Sequence, residues 1–410
     1  MPEQHEPPNP PRTFGDRVRR AREIRGMTRP VLGGLVGRSS EWVKGIENGR
    51  LGVPRLPMLL SLADVLNVSD LAELTGDERL SASTYTKAAH QALPVVREAL
   101  TTFTLTPPDT APPTVAELTS RVHEAWKLWH GPYDHRTRIS MLLPDLLADL
   151  QHASHVLDGI ERRKVLVQLA QTYHLTQLYL SFQPVPELVM LTGDRAMAAA
   201  QDADSPRAIA AAAWYMNHVF RDAGERHEAR VDLAMKAAGL LDRDRSPEEQ
   251  ALWGLLHLAG ALSFAKVGRK GDAERFWDQA DDAAKKLGSG YTHPWLIFGR
   301  GTVDAYAITM NTDLVQSGPA VAATEVDVET IPSATRRSFH LIEAARAHHL
   351  AKNDVAAVSL LKMAHEESPE TIRYNLFTRG IVGELETRGP KLLRADARYL
   401  RQKIGAPLAA

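Results

Sequence analysis

Breaks between helical segments recur at a nearly constant interval in the second half of this chain, and this recurrence strongly constrains the fold. The breaks at Gly224, Gly268, Asn311 and Asn353 are 44, 43 and 42 residues apart, and Phe182-Gln183-Pro184 interrupts the chain about one interval earlier. A drifting period near forty, with Gly or Asn at the turn, is typical of stacked helical hairpins. Each hairpin buries its apolar face only against its neighbours. The pattern therefore predicts an α-solenoid.

Apolar periodicity supports helices throughout this region. From Val115 onward, apolar residues recur at i, i+3, i+4 and i+7, as between Leu166 and Tyr173. Ser205-Pro206 and Ser246-Pro247 each read as an N-cap followed by proline in the first helical turn. No convincing alternation typical of strands occurs. We expect an all-α fold, with a small helix-turn-helix bundle followed by the α-solenoid.

The length of 410 residues exceeds what one compact core normally organises, so several domains are expected. The Pro-rich residues 1–11 predict a disordered tail, and residues 12–76 a helix-turn-helix domain. Residues 77–114 predict a connecting helix and a Pro-rich linker, with Pro94 interrupting or kinking the helix. Residues 115–410 form the predicted tetratricopeptide-like repeat domain for sensing and dimerisation.

Four helices are predicted between residues 14 and 66. Gly26 ends the first, Gly37 makes the tight turn before the third, and Thr28 and Ser39 are N-caps of the second and third. Two short helices joined through glycine, inside such a bundle, form a DNA-binding helix-turn-helix. The expected core positions are Phe14, Val18, Ala21, Ile24, Val31, Leu32, Leu35, Val43 and Ile46.

The stretch GDRVRRAREIRGMTRPVLGGLVGRSSEWVKGIENGR resembles the Cro/C1-type (XRE) family, over roughly residues 13–75. In that family an acid at the position of Glu47 pairs with a first-helix arginine, which implies a structural role for Glu47. The sequence departs from the family at the second helix, where Arg29 and Pro30 replace the usual Gln and Glu. A DNA contact through that Gln is therefore impossible, and Arg29 is the expected substitute as a phosphate clamp.

The whole chain resembles actinobacterial XRE regulators with a tetratricopeptide-like repeat domain and, more distantly, the peptide-sensing RRNPP group. This resemblance implies a homodimer and a ligand that rearranges it. The charge distribution agrees with a polyanion partner. Residues 12–55 carry eleven basic and four acidic side chains, whereas the whole chain has a net charge of −1. A solvated basic surface is the alternative reading of the charge alone.

The third helix supplies the candidate contacts with double-stranded DNA. Ser40, Glu41 and Lys44 lie off the Val43/Ile46 face, so they are expected either to meet base edges or to face solvent. Trp42 is expected to pack on a thymine methyl, on the sugar-phosphate wall or on the bundle surface. Ser39 serves mainly as the cap. The flanking arginines suit phosphates, which position a protein without reading sequence: Arg38, Arg50 and Arg55.

The solenoid supplies the candidate effector site. The positions seven residues before each break are Asn217, Ala261, Asp304 and Arg346, and three of the four are polar. In a concave groove these side chains would grip a peptide or a polar small molecule. The alternative is that they form ion pairs within the domain or lie on an exposed edge. Further candidates on the same helices are Trp214, His257, Arg300 and Glu343.

Catalytic signatures are missing. The sequence contains no Walker loop, no dinucleotide-binding glycine fingerprint, no His-Glu-x-x-His, no Gly-x-Ser-x-Gly and no cysteine. His152/His155 and His348/His349 lack a third ligand nearby. We therefore expect no enzyme activity, no cofactor and no metal. No apolar run approaches a membrane span, and a cytoplasmic location without membrane contact is expected.

The leading hypothesis is a dimeric, ligand-responsive DNA-binding transcription regulator. The alternative is an interaction scaffold whose repeat domain docks a protein and delivers it to DNA. An enzyme hidden in the repeats is a third, weaker hypothesis.

Overall fold

The computed structural model describes residues 13–68, 71–76, 87–103, 105, 109–223 and 227–405. The predicted tail, the break at Gly224 and parts of the predicted linker lie outside these residues. The chain divides into two compact units, residues 1–85 and 86–410. Within the described ranges the regular structure is helical apart from an isolated bridge between Thr292 and Gly299, so the all-α prediction is confirmed. None of the helices in these ranges is both long and apolar enough to cross a membrane.

The first unit contains five described helices, and local capping chemistry fixes where they begin. Thr13 and Asp16 form a capping box at the first helix. The hydroxyls of Thr28 and Ser39 accept hydrogen bonds from the backbone N–H groups of the second and third helices, as predicted. The helices are α1 (Phe14–Ile24), α2 (Arg29–Leu35), α3 (Ser40–Glu47), α4 (Leu56–Val65) and α5 (Leu71–Thr75).

The turn between α2 and α3 depends on two glycines. Gly37 has a φ of +63°, a left-handed conformation that L side chains rarely adopt. A Cβ on Gly33 would lie 2.7 Å from the carbonyl oxygen of Arg38, so a side chain there would push the turn away from α2. The two helices therefore meet at close range, as the helix-turn-helix prediction requires.

The core of the first unit contains fewer of the residues of α1 and α2 than the sequence predicts. Val18, Leu32, Val43 and Ile46 are buried as expected, together with leucines of α4. Three predicted core positions are wrong, because Ile24, Val31 and Leu35 are 74%, 49% and 58% exposed. The seven-residue α2 turns only Leu32 and Gly33 inward, and Ile24 lies at the last residue of α1.

The second unit is a series of helices whose first member begins beside a proline. Its first described helix starts at Leu93, so Pro94 lies in the first turn, where the missing N–H breaks no helical bond. Pro94 therefore begins this helix and does not interrupt it. The helices of this unit are α6 (Leu93–Thr101), α7 (Val115–His130), α8 (His135–Val156), α9 (Gly159–Leu180), α10 (Pro186–Asp202), α11 (Pro206–Ala223), α12 (His227–Ala238), α13 (Pro247–Lys266), α14 (Lys270–Leu287), α15 (Arg300–Asp313), α16 (Ser317–Ala322), α17 (Ala334–Leu350), α18 (Asp354–Glu367), α19 (Pro369–Tyr374), α20 (Leu376–Arg388) and α21 (Lys391–Ile404).

These helices stack as hairpins. Each odd-numbered helix from α7 to α17 contacts the next odd-numbered helix and also its own hairpin partner. The breaks at Phe182, Gly268 and Asn353 lie between helices, as predicted. The predicted break at Asn311 is wrong, because α15 continues to Asp313 and the chain turns at residues 314–316. The Asn311 amide donates to the carbonyl of Ala307 and so remains within the helix.

The two ends of the stack meet. The Glu370 carboxylate, at the start of α19, accepts hydrogen bonds from the backbone N–H groups of Arg136 and Thr137 at 2.5 and 3.2 Å and from the Thr137 hydroxyl at 2.5 Å. His130 at the end of α7 lies 2.9 Å from both the Ser333 hydroxyl and the Trp295 carbonyl. The first hairpin therefore packs against segments more than 160 residues further along the chain, a closure that the repeat pattern did not predict.

Candidate nucleic-acid interface

Helix α3 presents a polar outer surface. Its inner face is fixed by Val43 and Ile46, whereas Ser40 and Lys44 are half-buried and Glu41 is exposed. Glu41 lies 3.5 Å from the Lys44 ammonium and 4.0 Å from the Arg50 guanidinium. Exposed ion pairs of this kind contribute little to stability. Glu41, Lys44 and Arg50 could therefore give up these pairs for contacts with DNA at a small cost in free energy. The geometry is compatible with the base-edge prediction for this helix.

Two further candidates form one stacked pair at the beginning of α3. The guanidinium carbon of Arg38 lies 5.7 Å from the centre of the Trp42 ring, within the range of a cation–π contact. Trp42 is half-buried and packs against the bundle core, which is one of the three placements expected from the sequence. Arg38 and Arg50 lie beside α3, where phosphate contacts would position the helix, and Arg55 is exposed further along the chain.

Glu47 is the electrostatic centre of this unit. Its side chain is fully buried, and its two oxygens lie 2.5 Å from Arg22 Nε and 2.7 Å from Arg29 Nε. Burial alone would raise the pKa of Glu47, but the hydrogen bonds from Arg22 and Arg29 lower it below the usual value. Arg19 also donates to the carbonyl oxygen of Glu47 and to the side chain of Asn48. The pairing of Glu47 with a first-helix arginine, implied by the family resemblance, is present in the structure.

Arg29, the predicted phosphate clamp, is engaged in an ion pair within the bundle. Its guanidinium is held by the buried carboxylate of Glu47, and its side chain is 37% exposed. Pro30 follows it in the first turn of α2 and has no N–H to offer. Arg29 thus joins α2 to α3, and its predicted phosphate contact stays a prediction.

The predicted effector residues are already engaged within the repeat domain. Asn217 is buried, donates to the carbonyl of Arg230 and accepts from the Ser263 hydroxyl. Arg346 pairs with Asp313 and with Glu343. Asp304 pairs with Arg300, and the late end of α15 moves it out of the expected register by about one turn.

The remaining candidates follow the same pattern. Arg300 bridges Asp304 and the buried Asp281. His257 lies 2.9 Å from the carbonyl of Trp253 and packs on the ring of that residue at 3.7 Å between centres. These contacts match the alternative of ion pairs and packing within the domain. Ligand binding by the six predicted residues stays a prediction.

Sequence reasoning missed a group of aromatic and histidine side chains between α7 and the segment that precedes α15. Trp126, His130 and His293 line a cavity there, and Trp295 packs on Trp126 with ring centres 4.8 Å apart. The spacing of Trp126 and His130 at i, i+4 was a visible signal, but the partner segment lies about 165 residues away. Among the described residues, no group of three or more His, Asp or Glu side chains is placed to hold a metal ion.

Comparisons with known proteins agree with the geometry of the first unit. A family model described as a helix-turn-helix domain matches residues 13–75. No curated protein matches the chain. Among solved structures, PlcR of Bacillus thuringiensis, in complex with the peptide PapR7 and DNA, aligns over 85% of this chain and 99% of its own. The identity is 11% and the TM-score is 0.30, so this likeness carries no conclusion about the present chain.

Proposed function

We propose that this protein is a sequence-specific DNA-binding transcription regulator of the XRE type. The observation that supports it is α3, held through Glu47 and the buried Val43/Ile46 face, with a polar outer surface flanked by arginines. The helix-turn-helix family match over residues 13–75 supports the same function. The outer residues proposed to contact DNA are Arg29, Arg38, Ser40, Glu41, Trp42, Lys44 and Arg50.

The proposal includes a homodimer. One helix-turn-helix covers only a few base pairs, and specificity of this kind normally uses two half-sites about one helical turn apart. The region after residue 80 would provide most of the dimer contact, and its tetratricopeptide-like hairpins would sense a peptide or small molecule. Light scattering of the full chain, alone and on a selected duplex, tests the dimer, and a monomer in both states would contradict it.

The DNA-binding function is tested by selecting duplexes from a random library with the full-length protein. We expect one enriched, pseudo-palindromic sequence. Its affinity should fall at least tenfold between about 50 and 200 mM salt, because arginine and lysine contacts release counterions from the DNA. No enrichment, or affinity that does not change with salt, would contradict the proposal.

A matched pair of variants separates specific contact from general charge. Arg50→Ala removes a positive charge beside α3, and we expect it to weaken binding to the selected duplex severalfold. Arg163→Ala removes a surface arginine of the repeat domain that lies 3.4 Å from Asp204, and we expect it to leave DNA affinity unchanged. Equal losses in both variants would contradict the assignment of α3 as the contact helix.

A further inference from the structure

A cavity of about 290 Å³ lies in the repeat domain, where α7 meets the segment that precedes α15. Its walls include Trp126 and His130 from α7 and His293 and Ile297 from that segment. The size is near the lower end of the range typical of small-molecule sites. It adjoins the contacts through which His130 joins the beginning of the stack to Trp295 and Ser333.

Two nitrogen donors in the walls lack a partner within the described protein. Nε1 of Trp126 and Nε2 of His293 are buried and make no hydrogen bond there. Nδ1 of His293 lies 3.3 Å from the backbone N–H of Leu296 and accepts from it, so the proton of the neutral ring is on Nε2. A buried N–H without an acceptor is unfavourable, and both rings belong to residues that line the cavity.

His130 differs from these two because both of its nitrogens are used. Nε2 lies 2.9 Å from the Trp295 carbonyl and therefore donates, which leaves Nδ1 to accept from the Ser333 hydroxyl. His130 is thus a fixed wall, stacked on Trp126 with ring centres 5.7 Å apart. The cavity walls therefore combine aromatic rings with two N–H donors that have no partner in the described protein.

The charges around the cavity favour an acceptor with negative charge. Lys127 is at its rim, 63% exposed, with its ammonium 3.9 Å from Glu124. Arg336 lies close enough for its positive charge to act on His130. Among the described residues that line the cavity, none is acidic.

We propose that this cavity binds a planar aromatic carboxylate. Its ring lies among the aromatic and apolar walls, and its carboxylate accepts hydrogen bonds from Trp126 Nε1 and His293 Nε2 near the Lys127 ammonium. The ligand would bridge α7 and the segment that precedes α15, so its binding would favour the arrangement in which the two are in contact. That this binding regulates transcription rests on the proposed DNA-binding function, whereas the binding itself does not.

The test uses 2-naphthoate as the probe, with (2-naphthyl)methylammonium as the matched compound that has the same ring and the opposite charge. Calorimetric titration of the full-length protein without DNA should show one saturable site for 2-naphthoate, with a Kd below about 1 mM. The ammonium compound should bind at least tenfold more weakly. Absence of saturable naphthoate binding, or equal affinity for the two compounds, would overturn the proposal.

Two variants locate the site. Trp126→Phe removes one donor and keeps an aromatic wall, and it should weaken naphthoate binding about fivefold to tenfold. Lys127→Ala changes only an exposed side chain at the rim and should weaken it severalfold, even if Trp126→Phe does not fold. The control Lys164→Ala removes a comparable exposed lysine that pairs with Glu161 three residues away, and it should change nothing.

Equal naphthoate affinity in wild type and Lys127→Ala would place the compound elsewhere and overturn the assignment. Because these titrations contain no DNA, their failure leaves the DNA-binding proposal standing. Failure of the duplex selection would likewise leave the cavity result standing.

Discussion

The two units of this protein differ in their buried polar groups, although both contain buried ion pairs. In the helix-turn-helix unit, one fully buried carboxylate, Glu47, draws Arg19, Arg22 and Arg29 around it. Residues 12–76 contain no histidine, whereas fifteen of the sixteen histidines lie after residue 86. In the repeat unit several of these are buried and neutral, and burial lowers the pKa of His174, His293 and His340 to about 3.

This contrast separates two strategies for burying polar groups. The small unit has little apolar volume, so a charged network joins its helices while the outer face of α3 stays available for DNA. The repeat unit has a large apolar core and keeps its buried polar rings uncharged. Neutral rings with unused hydrogen-bonding atoms suit the recognition of small molecules, whereas exposed arginines suit a polyanion.

The largest effect we expect is that of low pH, which should destabilise the repeat unit more than the helix-turn-helix unit. His174, His293 and His340 are neutral when folded but take up protons in the unfolded chain below pH about 6.5, so the unfolded state binds more protons. The stability of the repeat unit should therefore fall as the pH drops from about 6.5 toward 3. The three residues together should cost about 4 kcal/mol by pH 5.5. Urea titrations at pH 7.5 and 5.5, with limited proteolysis to show which segment opens, measure this.

The variant His174→Phe provides the control for the acid effect. His174 is stacked between Tyr215 and Trp295, so phenylalanine keeps the stacking and cannot titrate. This variant should reduce the difference between the free energies of unfolding at pH 7.5 and 5.5 by about 1 kcal/mol. Unfolding of residues 13–76 at a higher pH than the repeat unit would contradict the predicted difference between the two units.

Neutralising the buried carboxylate should destabilise only the small unit. Glu47→Gln leaves Arg22 and Arg29 without their buried partner and should cost about 3 kcal/mol. Hydrogen exchange of the full-length protein should then show faster exchange in α1 to α3 and unchanged exchange in the repeat helices. Glu41→Gln, at an exposed pair on the same helix, should cost less than about 1 kcal/mol. Similar stability of the two variants would show that Glu47 does not hold the unit together.

Opening the closure of the repeat unit should have the next largest effect. Glu370→Gln removes the charged acceptor for the N–H groups of Arg136 and Thr137 and should cost about 2 kcal/mol. Thermal unfolding of the full chain measures it. The exposed neighbour Glu366, changed to Gln, serves as control and should have little effect. If the two variants melt alike, the closure contributes no stability.

The smallest expected effect distinguishes the roles of two arginines in the helix-turn-helix unit. Arg29→Ala should lower the stability of this unit by about 1 kcal/mol, because Arg29 pairs with Glu47. Arg38→Ala should lower stability by less than this, because its contact with Trp42 is a partly exposed cation–π pair, and should reduce the salt dependence of DNA affinity by about one counterion. Thermal unfolding and salt titrations on the selected duplex measure both. A loss of salt dependence in Arg29→Ala alone would make Arg29 the phosphate clamp that its place in the sequence predicts.

Features encoded over a few residues were predictable from the sequence. The caps at Thr28 and Ser39, the left-handed turn at Gly37 and the breaks at Gly268 and Asn353 all follow from local hydrogen bonding and backbone sterics. The pairing of Glu47 with α1 was accessible through the family resemblance.

Features that depend on tertiary contacts were not predictable. The exposure of Val31 and Leu35 reflects which face of a short helix has a neighbour. The end of α15 was misplaced because Asn311 satisfies its amide within the helix. The cavity joins Trp126 to His293 only because the stack closes on itself, and helical periodicity contains no information about that closure.

The central claim is that the helix-turn-helix unit contacts DNA and the repeat unit does not. Hydrogen exchange of the full-length protein with and without the selected duplex tests it most directly. We expect DNA to slow exchange in the peptides that cover Arg38–Arg50, and to leave α7 and the segment around His293 unchanged. Slower exchange confined to the repeat unit, with residues 38–50 unaffected, would contradict the account.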